Sequence, residues 1–113
     1  MTGITSSDAH KFFREASKIK QEVVEAVKQR INTLDVRKID NKDVMINRLS
    51  LRLCTKAFAD FKKIIYEKYS DDKYANLIAI CIINTQNYFD APYFLRIELQ
   101  QLMREKIAST KNL

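Results

Sequence analysis

The sequence is almost free of the two residues that most often interrupt regular structure. Glycine occurs once, at Gly3, and proline once, at Pro92, in 113 residues. Sheet proteins need glycine, proline and Asn-Gly pairs at their many turns, so this composition argues against a strand-rich domain. It favours long helices joined by short polar connections.

Histidine also occurs only once, at His10. Zinc sites and Ser-His-Asp or Cys-His catalytic groups need converging partners, and His10, Cys54 and Cys81 lack the spacing of such sites. One glycine cannot form a phosphate-binding loop, and neither a calcium-loop motif nor a Glu-x-x-His di-iron motif occurs. We therefore expect a surface histidine, no enzymatic activity, no metal and no cofactor.

Long apolar runs are missing as well. The longest, from Leu77 to Ile83, has seven residues, far short of the ~20 that span a bilayer. The first twelve residues have no apolar segment of the kind found in secretory signals. Cys54 and Cys81 lie in apolar helical stretches and are expected to be buried free thiols. These features predict a cytoplasmic protein in a reducing setting, with no membrane role.

Apolar residues recur every three or four positions in the first two thirds of the chain, which predicts two long helices. The first is expected to begin with Ser6 or Ser7 as its N-cap and to run about 28 residues. Asp40 is expected to cap the second, which should end near Tyr69. If the remaining helices are shorter, the excess length projects from the bundle or pairs with a second copy.

Two shorter helices are predicted in the last third. The third is expected from about Lys73 to Tyr88 and, being apolar on every face, to be the most buried. Asp90 is expected to cap the fourth, with Pro92 in its first turn, where the missing N–H costs little. The fold class predicted is all-α: an antiparallel four-helix bundle with two long N-terminal and two shorter C-terminal helices. Residues 1–113 are expected to form one domain, with residues 1–6 and 109–113 frayed.

Positive charge is concentrated in the first half of the chain. The net charge is +6. Residues 1–56 contain twelve Lys or Arg against seven Asp or Glu, whereas residues 57–113 contain eight against seven. Such a basic half favours an anionic partner, such as nucleic acid, a membrane surface or an acidic protein. A purely solubilising role is the alternative.

The predicted second helix carries the clearest cluster of cations. Arg48, Arg52 and Lys56 are spaced four apart and therefore share one face, with Lys63 and Tyr66 at nearly the same azimuth. This ridge, about 25 Å long, could meet several phosphates of a nucleic acid, or could be a solvated face covering the edge of the core. The residues predicted to bind nucleic acid are Arg37, Lys38, Lys42, Arg48, Arg52, Lys56, Lys63, Lys11, Arg14 and Lys18.

Four aromatic residues surround the last predicted connection: Tyr88, Phe89, Tyr93 and Phe94. Buried, they would close one end of the bundle. Exposed, they could stack on unpaired bases or anchor a protein. Tyr66, Tyr88 and Tyr93 are the predicted partner-binding residues.

Two functions remain open. The first is a non-catalytic nucleic-acid-binding subunit of a larger assembly, reading backbone and shape of RNA or DNA, since no base-reading motif occurs. In size and charge the chain resembles the small helical subunits of RNA-guided surveillance complexes. The second is a helical protein-binding module: an inhibitor, immunity protein, chaperone or assembly factor. The tetrapeptide Ile46-Asn47-Arg48-Leu49 is similar to a stretch in bacteriocin immunity proteins of the enterocin type, which are basic four-helix bundles. Self-association is a further expectation.

Overall fold

The computed structural model describes residues 3–38 and 42–111, and within them the chain is all-α, without a β-strand. This confirms the all-α part of the predicted fold class. Two single 3-10 turns, at Val36–Lys38 and Asp72–Tyr74, lie in the first two connections. The helices are α1 (Ser6–Asn32), α2 (Lys42–Lys68), α3 (Ala75–Asp90) and α4 (Leu95–Lys111).

The last two helices follow each other along α2 as one bent rod. Phe89 of α3 stacks on Phe58 in the middle of α2, with ring centroids 5.3 Å apart. Arg104 of α4 pairs with Asp43 at the start of α2, 2.9 Å away. The molecule therefore consists of three rods packed side by side, and it measures 63 × 21 × 19 Å. The antiparallel four-helix bundle is not confirmed, because α3 and α4 run in the same direction. Together they are longer than either α1 or α2, so neither long helix has excess length to project from the bundle.

The break between α3 and α4 follows from Pro92. A residue before proline is forced into an extended conformation, and Ala91 accordingly has φ −65° and ψ 151°. Asp90 is therefore the last residue of α3, and the prediction that it caps α4 is wrong. Pro92 lies in the connection, outside the first turn of α4. Phe94 has a positive φ of 61°, and its carbonyl accepts the first backbone hydrogen bond of α4, from Glu98.

The other helix ends differ from prediction by small amounts. Thr5, one residue earlier than expected, caps α1, and its hydroxyl accepts a hydrogen bond from the backbone N–H of Asp8. The predicted cap of α2, Asp40, lies outside the described residues. At the other end, α4 remains helical to Lys111, past Ser109, where fraying was expected.

The core runs the full length of the rod and includes both cysteines as buried free thiols, as predicted. Helix α3 is not the most buried helix, because Ile80 is 47% exposed and Ile83 is 68% exposed. In a bundle of three rods each helix has neighbours on one side only, so even an apolar helix turns one face to solvent. The largest fully buried apolar side chains are Phe12, Phe61, Phe89, Ile31, Ile46, Ile65, Leu95, Leu99, Met103 and Cys54.

Candidate nucleic-acid interface

The outer face of α2 carries the predicted ridge of cations. Arg48, Arg52, Lys56 and Lys63 are all exposed. The helix buries the opposite face, through residues such as Phe61, and that burial fixes which side the cations occupy. From residue 48 to residue 63 the ridge extends about 22 Å along the axis, at 1.5 Å per residue.

Two arginines of this ridge are free. Neither Arg48 nor Arg52 forms an ion pair or side-chain hydrogen bond with any residue in the described ranges. Lys63 is likewise unpaired there, whereas Lys56 forms an ion pair with Asp60, 3.4 Å away. Since a guanidinium stays charged at every physiological pH, Arg48 and Arg52 present permanent positive charge with all their donors available.

The cations predicted just before α2 contribute less. The guanidinium of Arg37 is held by Asp35, with Nε 3.1 Å from Oδ1. That hydrogen bond lowers the pKa of the Asp35 carboxyl and raises the pKa of Arg37. The pair is therefore close to neutral in its effect on a distant anion. Lys42 is half-buried at the start of α2, and the side chain of Lys38 lies outside the described residues.

The three predicted cations of α1, Lys11, Arg14 and Lys18, are exposed and have no ion-pair partner in the described part of the chain. Close by, Glu15 of α1 pairs with Lys68 at the end of α2. The hydrogen bond from Lys68 lowers the pKa of Glu15 and raises the pKa of Lys68. This pair joins the first turns of α1 to the last turn of α2, so the α1 cations lie level with the end of α2.

The cations of α1 and the arginines of α2 consequently lie toward opposite ends of the rod. Arg48 and Lys68 are separated by 20 residues of one helix, which is about 30 Å. An extended polyanion lying along the α1–α2 side would meet both clusters, while a short one would meet only one of them.

A shallow groove of about 480 Å³ lies between α1 and α2, in the stretch that separates the two clusters. Its floor is apolar, formed by Val23, Val27 and Ile64. Arg30 lines it and was missed by the sequence prediction, although its position in the last turn of α1 is a common one for a cation. Three cations and three carboxylates share the rim, so its charge is balanced: Arg30, Lys56, Lys63, Glu22, Asp60 and Glu67.

The predicted partner-binding tyrosines are separated by the fold. Tyr66 is 54% exposed on α2, and Tyr93 is 64% exposed in the connection before α4. Tyr88 is half-buried: Lys20 lies over its ring at 4.0 Å, and its hydroxyl donates to Glu98 at 3.2 Å. Burial, followed by the negative charge of Glu98, raises the pKa of Tyr88 to about 12. Tyr88 thus ties α1 to the α3–α4 rod, and Tyr66 and Tyr93 are the accessible members of the set.

The four aromatics of the last connection divide in the same way. Phe89 is buried against α2, and Phe94 is 56% exposed, with its ring stacked on Tyr88 at 6.1 Å. The connection lies beside the middle of α2, so the prediction that these aromatics close one end of the bundle is wrong. One half of the set packs against the other helices and the other half faces solvent.

His10 is exposed, as predicted. Among the described residues, no group of three or more His, Cys, Asp or Glu side chains is arranged to hold a metal ion. None of the helices in those ranges has both the length and the apolar character that a bilayer span requires.

Comparison with protein-family models, with curated proteins and with solved structures finds no match for this chain.

Proposed function

We propose that this chain is a non-catalytic nucleic-acid-binding protein that contacts the phosphate backbone through the outer face of α2. The observation that carries the proposal is the pair Arg48 and Arg52, one helical turn apart, exposed, and free of ion pairs within the described ranges. Lys63 extends the same face. Two other cations of the predicted set, Arg37 and Lys56, are instead held in ion pairs with Asp35 and Asp60.

The chemistry of the ridge suits phosphate. Arginine offers a planar fork of N–H donors that matches phosphate oxygens, and lysine adds a point charge. Each phosphate neutralised releases condensed counterions, so affinity falls steeply as salt rises. The ridge is a helix face without a groove-reading motif, and we therefore propose that it recognises backbone and shape, with little preference for base sequence.

The proposal extends to the setting of the protein. We propose that it acts as a small subunit of a larger nucleoprotein assembly in a reducing, intracellular compartment, since both of its cysteines are free and buried. The exposed cations of α1, which have no ion-pair partner in the described part of the chain, form a second contact point for a strand long enough to reach both ends of the rod: Lys11, Arg14 and Lys18.

Binding to a generic fluorescent oligonucleotide over a salt series tests the proposal. If the three unpaired ridge cations each neutralise one phosphate of a duplex, wild-type affinity is expected to fall roughly 40-fold between about 50 and 200 mM salt. Substituting Arg48→Glu together with Arg52→Glu should abolish binding, because it places two carboxylates where phosphates would lie. Fluorescence anisotropy measures both effects.

The control has the same change in net charge elsewhere on the surface: Lys73→Glu together with Arg104→Glu. Both cations are exposed, and neither lies on the α2 ridge. Because Arg104 pairs with Asp43 of α2, circular dichroism should first show that this control keeps wild-type helicity. If the ridge is the site, this control keeps most of the affinity. Equal losses in the two double variants would show a general charge effect, and absent or salt-independent binding of the wild type would refute the proposal.

A second candidate function, a helical protein-binding module, is favoured by a different observation. Helix α3 turns two isoleucines, Ile80 and Ile83, to solvent, and an exposed apolar face is typical of protein contacts. An inhibitor, immunity protein, chaperone or assembly factor would use such a face. Stoichiometric co-purification of one protein after nuclease treatment, lost on Ile83→Lys and kept on Arg48→Glu, would support this function over the first.

A further inference from the structure

Helix α3 is uncharged over nearly its whole length. From Ala75 to Phe89 it contains no Lys, Arg, Asp or Glu, although charged residues make up 30% of the chain. One side of the helix nevertheless faces solvent, and the residues on that side are isoleucine, alanine, asparagine and glutamine. Soluble helices ordinarily place charged residues on such a side, so the composition of this face calls for an explanation.

The exposed residues at the centre of this face follow a coiled-coil spacing. Asn76, Ile80, Ile83 and Asn87 are all exposed, and they are separated by four, three and four residues. This is the spacing of the a and d positions that form the seam between two paired helices. The four side chains lie within about 60° of one another around the helix axis, at 100° per residue.

The pattern is also a palindrome. Read in either direction along α3 it is Asn, Ile, Ile, Asn, centred between Ile80 and Ile83. Two such helices laid antiparallel about a twofold axis at that centre would place each Ile80 against Ile83 of the other copy. Each Asn76 would face Asn87 of the other copy. A twofold contact needs a self-complementary surface of this kind.

We propose that the outer face of α3 is the interface of a homodimer, in which two copies pair antiparallel through Asn76, Ile80, Ile83 and Asn87. The two isoleucine pairs would exclude water at the centre. The asparagine pairs would hydrogen-bond at either end and set the register, as a buried asparagine does in coiled coils. Tyr66, which lines the adjoining groove of α2 with Ala79, lies at the edge of this face.

A second copy fits this face better than a charged partner does. Between Asn76 and Asn87 the face has no ionic group with which to attract a nucleic acid, an anionic membrane or an acidic peptide, and the exposed Asp90 stands only at its C-terminal end. It can instead satisfy its own amides and bury its own isoleucines. The cations Lys56 and Lys63 line the α1–α2 groove, to which α3 contributes no residue, so pairing through α3 leaves that groove open.

The size of the face sets the strength of the contact. Helix α3 has 16 residues and is therefore about 24 Å long. One helix pair of that length buries less than the roughly 1,200 Å² at which stable complexes begin. The dimer is accordingly a reversible one, with dissociation expected in the micromolar range or above, and it is to be sought at high protein concentration.

Sedimentation equilibrium of nuclease-treated protein over a wide concentration range tests the pairing. The average mass is expected to rise from that of the 13.3 kDa chain toward twice that value. Ile83→Lys should keep the mass monomeric by placing two ammonium groups in the seam. Because Ile83 is 68% exposed, the variant should retain wild-type helicity by circular dichroism. The matched control is Ile97→Lys, on an exposed isoleucine of α4.

Cysteine cross-linking tests the register. Asn76→Cys and Asn87→Cys are prepared as separate variants and oxidised alone and mixed. The antiparallel register predicts a disulfide-linked dimer in the mixture only, since Asn76 faces Asn87 of the other copy. A dimer in the Asn76→Cys sample alone would show parallel pairing and overturn the proposed register. Wild type, oxidised in parallel, shows the background from Cys54 and Cys81.

The outcome of the sedimentation experiment does not depend on whether the chain binds nucleic acid. A wild-type chain that stays monomeric at millimolar concentration would overturn the dimer, as would an equal loss of dimer in Ile97→Lys. Neither result bears on the salt series with Arg48→Glu and Arg52→Glu. Conversely, loss of oligonucleotide binding in that double variant with an unchanged dimer would show that the two surfaces work separately.

Discussion

The ammonium group of Lys106, near the end of α4, donates a hydrogen bond to the carbonyl oxygen of Ile31, in the last turn of α1, over 2.9 Å. The same ammonium group lies 2.6 Å from the carbonyl oxygens of Asn32 and Leu34. The last carbonyls of a helix have no partner within the helix, and they form the negative end of its dipole. A side chain distant in sequence therefore caps α1, and it fastens the end of α4 to the end of α1.

Lys106→Met should destabilise the fold. It keeps the aliphatic stem but removes the ammonium donor from three carbonyl oxygens, of which that of Ile31 keeps a hydrogen bond from the backbone N–H of Leu34. The expected cost is about 1–3 kcal/mol in the free energy of unfolding. Urea denaturation followed by circular dichroism measures the change. Lys18→Met is the control, since Lys18 is exposed and unpaired among the described residues. A cost as small as that of the control would mean that water replaces the ammonium group without loss.

Ser50 is the buried polar residue of the core and should be coupled to Gln100. Its hydroxyl donates to the carbonyl of Asn47 at 2.9 Å and accepts from the side-chain amide of Gln100 at 3.1 Å. Since Ser50 is 0% exposed, the hydrogen bond between Ser50 and Gln100 is shielded from water. A double-mutant cycle with Ser50→Ala and Gln100→Met should give a coupling energy of about 0.5–1.5 kcal/mol. Additive single effects would contradict the prediction.

The thiol of Cys54 should make the protein less stable at alkaline pH. Burial raises the pKa of Cys54 from 9.0 to about 11, so between these values the unfolded state loses a proton that the folded state keeps. The contribution of the neutral Cys54 thiol to the free energy of unfolding is present in full below pH 9 and is lost as pH rises toward 11. At about 1.4 kcal/mol for a tenfold change in ionisation, the loss should be about 1.4 kcal/mol by pH 10.

Cys54→Ala isolates this effect from other groups that titrate in the same range. The variant should be less stable than wild type near pH 7, because it loses buried volume. The gap in free energy of unfolding between the two proteins should then shrink between pH 8 and pH 10. Chemical denaturation at each pH measures it. A constant gap would mean that the thiol ionises equally readily in both states.

Each cation that contacts a phosphate should contribute a predictable amount to the slope of log affinity against log salt. Arg52→Ala removes one free guanidinium, so the slope of log affinity against log salt should become shallower by about 1 for duplex DNA. Arg37→Ala should leave the slope nearly unchanged, because Asp35 already neutralises Arg37. Anisotropy titrations at four or more salt concentrations supply the slopes. Equal changes in the two variants would place the contact elsewhere.

The positions of the helices could be predicted from the sequence to within a few residues. The spacing of Phe12, Ile19 and Val23 in α1 is the spacing of one buried face, and all three are buried. The N-cap of α1 was harder to predict. Thr5, Ser6 and Ser7 all have side chains that can cap a helix, and the choice among them depends on where the chain turns. The end of α3 was misjudged because Asp90 was expected to cap α4, whereas α3 continues to Asp90 and ends where Ala91 is extended before Pro92.

The sequence by itself determined that this protein is helical, that it has one continuous core, and that cations collect on the outer side of its second helix. Those properties depend on residue type and on spacing within one helix, which the linear order specifies. The tertiary structure alone decided that α3 and α4 form one bent rod and that Ile80 and Ile83 face solvent. It also decided that Arg37 is neutralised, while Arg48 and Arg52 have no partner among the described residues. The physical reason is that LIAICII is apolar all round, so its sequence could not say which side lacks a neighbour. Only the packing of three rods assigns that side.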